Sequence, residues 1–157
     1  MSNKQPTEAD VEIAFPSVNF GVEDKDANRM MGELVQESWS PFNGCDRWQP
    51  FIFCCAYGFA KKLTRKRPPG QGSLRAGVFM ERTRFLMRAI AIAEENDLRI
   101  IKKPNGKDGY VFICEEYAFP ALEKVYERLR TRDDGALPSV ERVMDTMITE
   151  IQSKTSK

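Results

Sequence analysis

The sequence predicts a mainly α-helical fold: a single compact helical domain of about five helices, with one small β-hairpin at about residues 98–114. Three observations predict it. Residues 51–60 form an uncharged run that must be buried, four other segments repeat apolar residues at helical spacing, and an Asn-Gly pair marks a hairpin turn. A chain of 157 residues with 41% hydrophobic residues fits one domain with one core. We expect residues 1–25 to form a flexible acidic N-terminal arm and residues 26–157 to form the helical domain.

The N-terminal arm is predicted from its composition. Residues 1–38 carry eight acidic side chains against three basic ones, a net charge of −5, and residues 1–25 are rich in Ser, Asn, Gln and Pro. Four apolar residues nevertheless lie near alternate positions: Ile13, Phe15, Val18 and Phe20. We expect them to form an extended strip over the domain or over a partner. Asp26 or Asn28 is then predicted to cap a short helix whose apolar side lies within residues 30–35.

The central element is predicted within residues 46–63. The uncharged run Phe51–Ala60 is about half the length of a membrane span, so we interpret it as a buried core helix. Asp46 is expected to act as its N-cap, with Gln49 completing a variant of the capping box. Gly58 weakens a helix interior, which indicates that another backbone approaches closely there. A buried strand is the alternative structure for the same run.

A further helix is predicted over residues 78–96, after a loop that is rich in Pro and Gly. Its predicted inward face combines two neighbouring rows of apolar residues: Phe79, Leu86, Ile90 and Ala93 with Phe85, Ala89 and Ile92. Its predicted outward face is charged: Glu81, Arg84, Arg88 and Glu95. The helix is therefore expected to bury its aromatic residues and expose its arginines.

The C-terminal third is predicted to contain the hairpin and two helices. Leu98–Lys102 and Tyr110–Cys114 are interpreted as short strands joined by the Asn-Gly turn. A helix is expected to start at about Glu115, with Pro120 in its first turn. Ser139 is predicted to cap a last helix with an apolar stripe: Val140, Val143, Met147 and Ile151. Helices next to a hairpin also fit a winged-helix plan.

Composition excludes several classes of chemistry. The chain contains no histidine, so Ser-His, Cys-His and His-metal sites cannot form within it. Its four cysteines lack the pairing of a zinc site, and we expect buried or half-buried free thiols. The sequence therefore predicts no catalytic residues, no metal and no cofactor, although a magnesium-dependent nuclease built from its carboxylates stays open as an alternative. The N-terminus does not resemble a secretory signal, and we expect a cytoplasmic protein without a membrane partner.

A basic block is the strongest functional signal. Residues 61–88 contain nine basic side chains against one acidic side chain, a net charge of +8. The predicted nucleic-acid-binding residues are Lys61, Lys62, Arg65, Lys66, Arg67, Arg75, Arg82, Arg84 and Arg88. If the two helices that flank the loop are antiparallel, the block is concentrated at one pole of the domain. We expect it to bind DNA or RNA phosphates, with an acidic protein surface, including the acidic arm itself, or plain solvation as alternatives.

The order of short motifs over about residues 42–129 resembles a family of small proteins encoded beside DNA phosphorothioation systems, the Dnd system-associated proteins. The similar residues are Phe51-Ile52-Phe53, Ala56-Tyr57-Gly58, Arg67-Pro68, Phe79, Ile90-Ala91-Ile92-Ala93-Glu94-Glu95, Glu115-Glu116-Tyr117-Ala118 and Leu122-Glu123. The resemblance implies an accessory role in modification-dependent defence against foreign DNA and supplies no catalytic residues. The acidic arm and the last predicted helix extend beyond the similar core.

Together these observations predict a non-enzymatic accessory protein of a DNA modification and phage-defence system. It is expected to bind nucleic-acid phosphates, or a protein partner in a defence complex, through the basic block. Two alternatives are a structural small subunit of a nucleoprotein effector complex and a winged-helix DNA-binding regulator, which we expect to form a homodimer.

Overall fold

The computed structural model describes residues 16–102, 104, 109–131 and 140–155. These residues form five α-helices and no strand, so the mainly α prediction is confirmed for the part of the chain that is described. The helices are α1 (Lys25–Gln36), α2 (Trp48–Ala60), α3 (Glu81–Glu95), α4 (Tyr110–Arg130) and α5 (Val140–Thr155). Short 3-10 helices at Ala76–Val78 and Leu98–Lys102 precede and follow α3.

Helix α2 lies at the centre, as predicted, and packs chiefly against α4. A Cβ atom placed on Gly58 would lie 2.4 Å from the backbone oxygen of Tyr117, so the predicted close approach of a second backbone is confirmed. The predicted cap is only partly right. The N-cap position is Arg47, not Asp46, although the Gln49 Oε1 atom accepts a 2.9 Å hydrogen bond from the Asp46 backbone N–H.

The part of the predicted arm that is described lies on the domain as an extended strip. Val18 forms an antiparallel bridge with Leu74, and the Phe20 ring packs edge-on against Phe51 with 5.2 Å between ring centroids. This is one of the two placements expected for the apolar strip. The helix after the strip is capped by Asp24, ahead of the predicted cap positions, because the Asp24 Oδ1 atom accepts from the Ala27 N–H at 2.9 Å. Residues 1–15 lie outside the described residues.

The predicted hairpin is wrong. Leu98–Lys102 forms a 3-10 helix, and Tyr110–Cys114 is the first part of the 21-residue helix α4. The buried residues of this run, such as Val111 and Cys114, lie on the same side of α4 as Ala118 and Leu122, so one helix buries them together. Pro120 consequently lies inside the helix and not in its first turn. The turn at residues 105–106 and the cap at Ser139 lie outside the described residues, and the wing that supported the winged-helix plan is absent from the described ones.

The inward face predicted for α3 is wrong in part. Four residues of α3 are buried: Arg84, Met87, Ile90 and Ala91. Of the residues predicted to face inward, Phe79 and Ile90 are buried and Ile92 is half-buried, but four are exposed: Phe85, Leu86, Ala89 and Ala93. The reason is that α3 carries two apolar rows, and α4 covers only the one around Met87, whose backbone oxygen accepts a 3.4 Å hydrogen bond from the Cys114 thiol. Arg84, which was predicted to lie on the outward face, is only 6% exposed.

The remaining expectations concern the cysteines and the membrane. All four cysteines are free thiols; Cys45 is half-buried and the other three are buried, as predicted. Burial raises the pKa of the Cys54 thiol well above its ordinary value, which makes it an unreactive core group. Among the helices of the described residues, none combines the length and the apolarity that a bilayer crossing requires.

Candidate nucleic-acid interface

The basic block is spread along α3 and does not form one pole. Helices α2 and α3 run in the same direction: the Phe51 and Phe79 rings meet at their N-terminal ends, with 5.8 Å between centroids, while Phe59 and Ala93 line one cleft at their C-terminal ends. The loop between the helices therefore spans the length of the domain. Ten residues of helix separate Arg84 from Glu94, which is about 15 Å along the axis. The antiparallel arrangement that would have concentrated the charge is not found.

Arg65 is the most heavily paired residue of the block. Its guanidinium group lies 2.6 Å from the Glu116 carboxylate and 3.4 Å from the carboxylates of Glu94 and Glu95. These contacts join the loop to the end of α3 and the start of α4. Tyr117 extends the cluster, because its hydroxyl donates a 2.6 Å hydrogen bond to Glu94. Arg65 therefore has a structural explanation that sequence reasoning missed.

Arg67 is held by a second carboxylate, that of Glu115. The Arg67 Nη1 atom lies 3.0 Å from Glu115 Oε1, and the guanidinium group stacks on the Phe112 ring at 3.9 Å from its centroid. The Asn19 backbone N–H donates to the other Glu115 oxygen at 2.6 Å. Burial raises the pKa of Glu115 to about 7, although Arg67 and Asn19 favour its charged form. This cluster ties the N-terminal strip, the loop and α4 together.

Three more basic residues of the block are occupied. Lys61 forms a 2.8 Å ion pair with Glu150 of α5, which also pairs with Arg128, and the two cations lower the pKa of that carboxyl. Arg88 pairs with Glu81 at 3.1 Å. Arg84 is buried and donates to the Ala76 backbone oxygen at 3.3 Å. Carboxylates therefore partly balance the charges of Lys61 and Arg88, and burial removes Arg84 from solvent.

Four residues of the predicted block remain exposed without an ion pair among the described residues: Lys62, Lys66, Arg75 and Arg82. Lys62 and Lys66 lie at the start of the loop, near the C-terminus of α3. Arg75 and Arg82 lie near the N-terminus of α3. We call these four the exposed cations. The four cations therefore form two pairs at opposite ends of α3, not one patch.

A further cation, which sequence reasoning missed, lies beside Lys62. Lys62 has a left-handed backbone conformation, with φ of 52°, and lines a cleft of about 370 Å³ together with Lys154 of α5. Lys154 lies in the last turn of α5. It was missed because only the apolar stripe of this helix was predicted. The Lys66 ammonium group lies over the Phe119 ring, 5.6 Å from its centroid. Such flexible cations can contact an anion without any covalent chemistry.

A second cleft, of about 420 Å³, lies beside Arg67. Its walls include the glycine-rich turn Gly70-Gln71-Gly72, the ring of Phe112 and the Glu115 carboxylate. Both carboxylate oxygens of Glu115 already accept hydrogen bonds, from the Asn19 backbone N–H and from Arg67, so the carboxylate in this cleft is engaged within the fold. Within the described residues, no three or more His, Cys, Asp or Glu side chains are grouped so that they could hold a metal ion.

Comparison with known proteins gives one match. The family model described as DNA sulphur modification system-associated protein 4 matches residues 23–157. A search of curated proteins and a search of solved structures each found no match. The matched region covers all five helices and both pairs of exposed cations.

Proposed function

Because the chain belongs to the family of DNA sulphur modification system-associated protein 4, we propose that it is a non-enzymatic accessory protein that binds nucleic-acid phosphates. The family is associated with a system that acts on DNA, and an accessory role agrees with that association. The proposed contact is made by the exposed cations. Their partner is a phosphate backbone, and the protein contributes to modification-dependent defence against foreign DNA.

The observation that carries the proposal is the division of the basic block. Five of its nine residues are buried or held by carboxylates, and these five stabilise the fold. The other four keep their charge in solvent, where it forms no ion pair within the described residues. Exposed lysines and arginines bind duplex DNA mainly by releasing counterions from its phosphates. The division therefore supports a weak, salt-dependent contact that does not read base sequence.

The test measures the affinity for a short duplex DNA by fluorescence anisotropy at several salt concentrations. The variant removes three exposed cations: Lys62→Gln, Lys66→Gln and Arg75→Gln. The control removes three other exposed lysines and the same total charge: Lys25→Gln, Lys102→Gln and Lys124→Gln. We expect the first variant to weaken binding and to lower the slope of log affinity against log salt by about one for each phosphate that it no longer neutralises.

Two results would contradict the proposal. One is that the variant and the control change the affinity equally, which would show a general effect of net charge. The other is that the unmodified chain does not bind DNA even at low salt, which would leave an acidic protein as the partner of the exposed cations. Repeating the titration with a phosphorothioate-modified duplex of the same sequence shows whether the sulphur atom itself is recognised.

A further inference from the structure

The outward face of α3 is apolar although it faces solvent. Five exposed residues form one stripe, which we call the α3 outer face: Arg82, Phe85, Leu86, Ala89 and Ala93. Phe85 is 69% exposed, and Met80, which precedes the helix, is 70% exposed. The five positions fall at i, i+3, i+4, i+7 and i+11, so they lie on one side of the helix. A stripe of this kind on a soluble protein marks an interaction surface.

We propose that the α3 outer face binds the same face of a second copy of the chain, with the two helices antiparallel. Such an isologous contact requires a surface that complements itself. The stripe meets this requirement when Ala89 lies on the two-fold axis. Phe85 then faces Ala93 of the partner subunit, so that the largest side chain of the stripe fills the space left by a small one. At the axis itself, two alanines allow the helices to approach closely.

The charges at the two ends of α3 also bear on this arrangement. The N-terminal end carries Arg82 and the nearby Arg75 without an ion pair among the described residues. The C-terminal end carries Glu94 and Glu95, both 3.4 Å from Arg65, and the Glu95 side chain is still 45% exposed. Antiparallel helices place each basic end beside the acidic end of the partner, and their macrodipoles also attract. A nucleic acid fits this face less well, because four of its five residues are apolar.

The arrangement also has a consequence for the exposed cations. Lys62 lies beside Ala93, since both line the same cleft at the C-terminal end of α3. In the dimer, Arg82 of the partner subunit reaches this end of the helix, where the Glu94 and Glu95 carboxylates balance part of the charge of the local cations Lys62 and Arg65. The two pairs of exposed cations lie at opposite ends of α3 in one chain. In the antiparallel dimer, each pair would lie near the other pair of the partner subunit. The dimer does not depend on the proposed binding of DNA, and its test contains none.

The first experiment is sedimentation equilibrium of the whole chain at several concentrations. A single helix pair is smaller than a standard interface, so we expect a dimer with a dissociation constant of about micromolar order. The variant Leu86→Glu should shift the chain to monomer. Its matched control is Ile148→Glu on α5, because Leu86 is 37% exposed and Ile148 is 39% exposed. The control should leave the dimer unchanged.

The second experiment tests the antiparallel register by disulfide formation. The variant Ala89→Cys, in a background in which the half-buried Cys45 is serine, should form a disulfide-linked dimer under mild oxidation. The variant Ala93→Cys should not, because eight residues of helix, about 12 Å, would separate the two thiols. A chain that stays monomeric, a Leu86→Glu variant that still dimerises, or equal disulfide formation by the two cysteine variants would each overturn the proposal.

Discussion

Helix α2 contains no charged residue and helix α3 contains six, but both carry apolar residues on more than one side, and these sides have different surroundings. The central helix α2 is covered by its own chain, and its residues Phe51, Cys54 and Cys55 are fully buried. Helix α3 is covered on one side only, so that it buries Arg84 and exposes Phe85. An apolar pattern therefore shows which residues avoid water, but it does not show whether the same chain or another molecule covers them.

The largest effect is expected from truncating a phenylalanine in each region. Phe51→Ala removes a ring that packs against Phe20 and Phe79, and we expect it to lower the free energy of unfolding by about 3–5 kcal/mol. Phe85→Ala, at a concentration at which the chain is monomeric, should change it by less than about 0.5 kcal/mol. Urea unfolding followed by circular dichroism measures both. Similar losses for the two variants would show that α3 is covered in the monomer.

The covered region also contains a carboxyl group whose pKa is raised by burial. Because Glu115 has a pKa of about 7 in the folded chain, against about 4.5 when unfolded, the folded state binds more protons between these pH values. The stability that Glu115 contributes is complete below pH 4.5 and falls as the pH rises to about 7. The variant Glu115→Gln has no carboxyl group at this position, so its stability does not fall with pH for this reason.

The expected result is a difference between the two proteins that grows with pH. From about pH 4.5 to 8, the free energy of unfolding of Glu115→Gln should rise relative to that of the unmodified chain by up to about 3 kcal/mol. Unfolding curves at several pH values measure this difference. A constant difference would mean that Arg67 and the Asn19 N–H keep the carboxylate charged throughout.

A smaller effect is expected where α2 meets α4. Gly58→Ala places a Cβ atom against the backbone oxygen of Tyr117, and we expect a loss of about 1–3 kcal/mol in the free energy of unfolding. Gly77→Ala is the matched control beside α3, because no atom lies within 4 Å of the added carbon. The thermal midpoint of each variant is sufficient to compare them. Equal midpoints would contradict the close contact between α2 and α4.

These regions also show how far the sequence alone could predict the fold. The position of α2 and the role of Gly58 were predictable because an uncharged run has only one stable environment. The hairpin was wrong because Tyr110–Cys114 is rich in aromatic and β-branched residues, and only the long stripe that follows shows that it belongs to α4. The face of α3 was wrong because two apolar rows compete, and contacts with α4 decide between them.

For the candidate interface, the sequence alone predicted only the excess of basic residues. A charge count identifies the basic block, but it cannot show that Arg65 and Arg67 meet carboxylates about 50 residues further along the chain. Those long-range pairs depend on how α4 lies against the loop. The direction of α3 relative to α2 likewise decides whether the block forms one pole. The sequence therefore indicated the charges, and the fold separates those held by carboxylates from those exposed to solvent.

The most direct test compares exposed and paired cations in the same binding titration. Lys62→Gln with Lys66→Gln should lower the slope of log DNA affinity against log salt by about two and leave the thermal midpoint unchanged. Arg65→Gln with Arg67→Gln removes the same charge but breaks the ion pairs with Glu115 and Glu116, so it should lower the thermal midpoint and keep the slope. A slope that the first variant leaves unchanged, or that the second variant lowers equally, would contradict the proposed division between binding and structural cations.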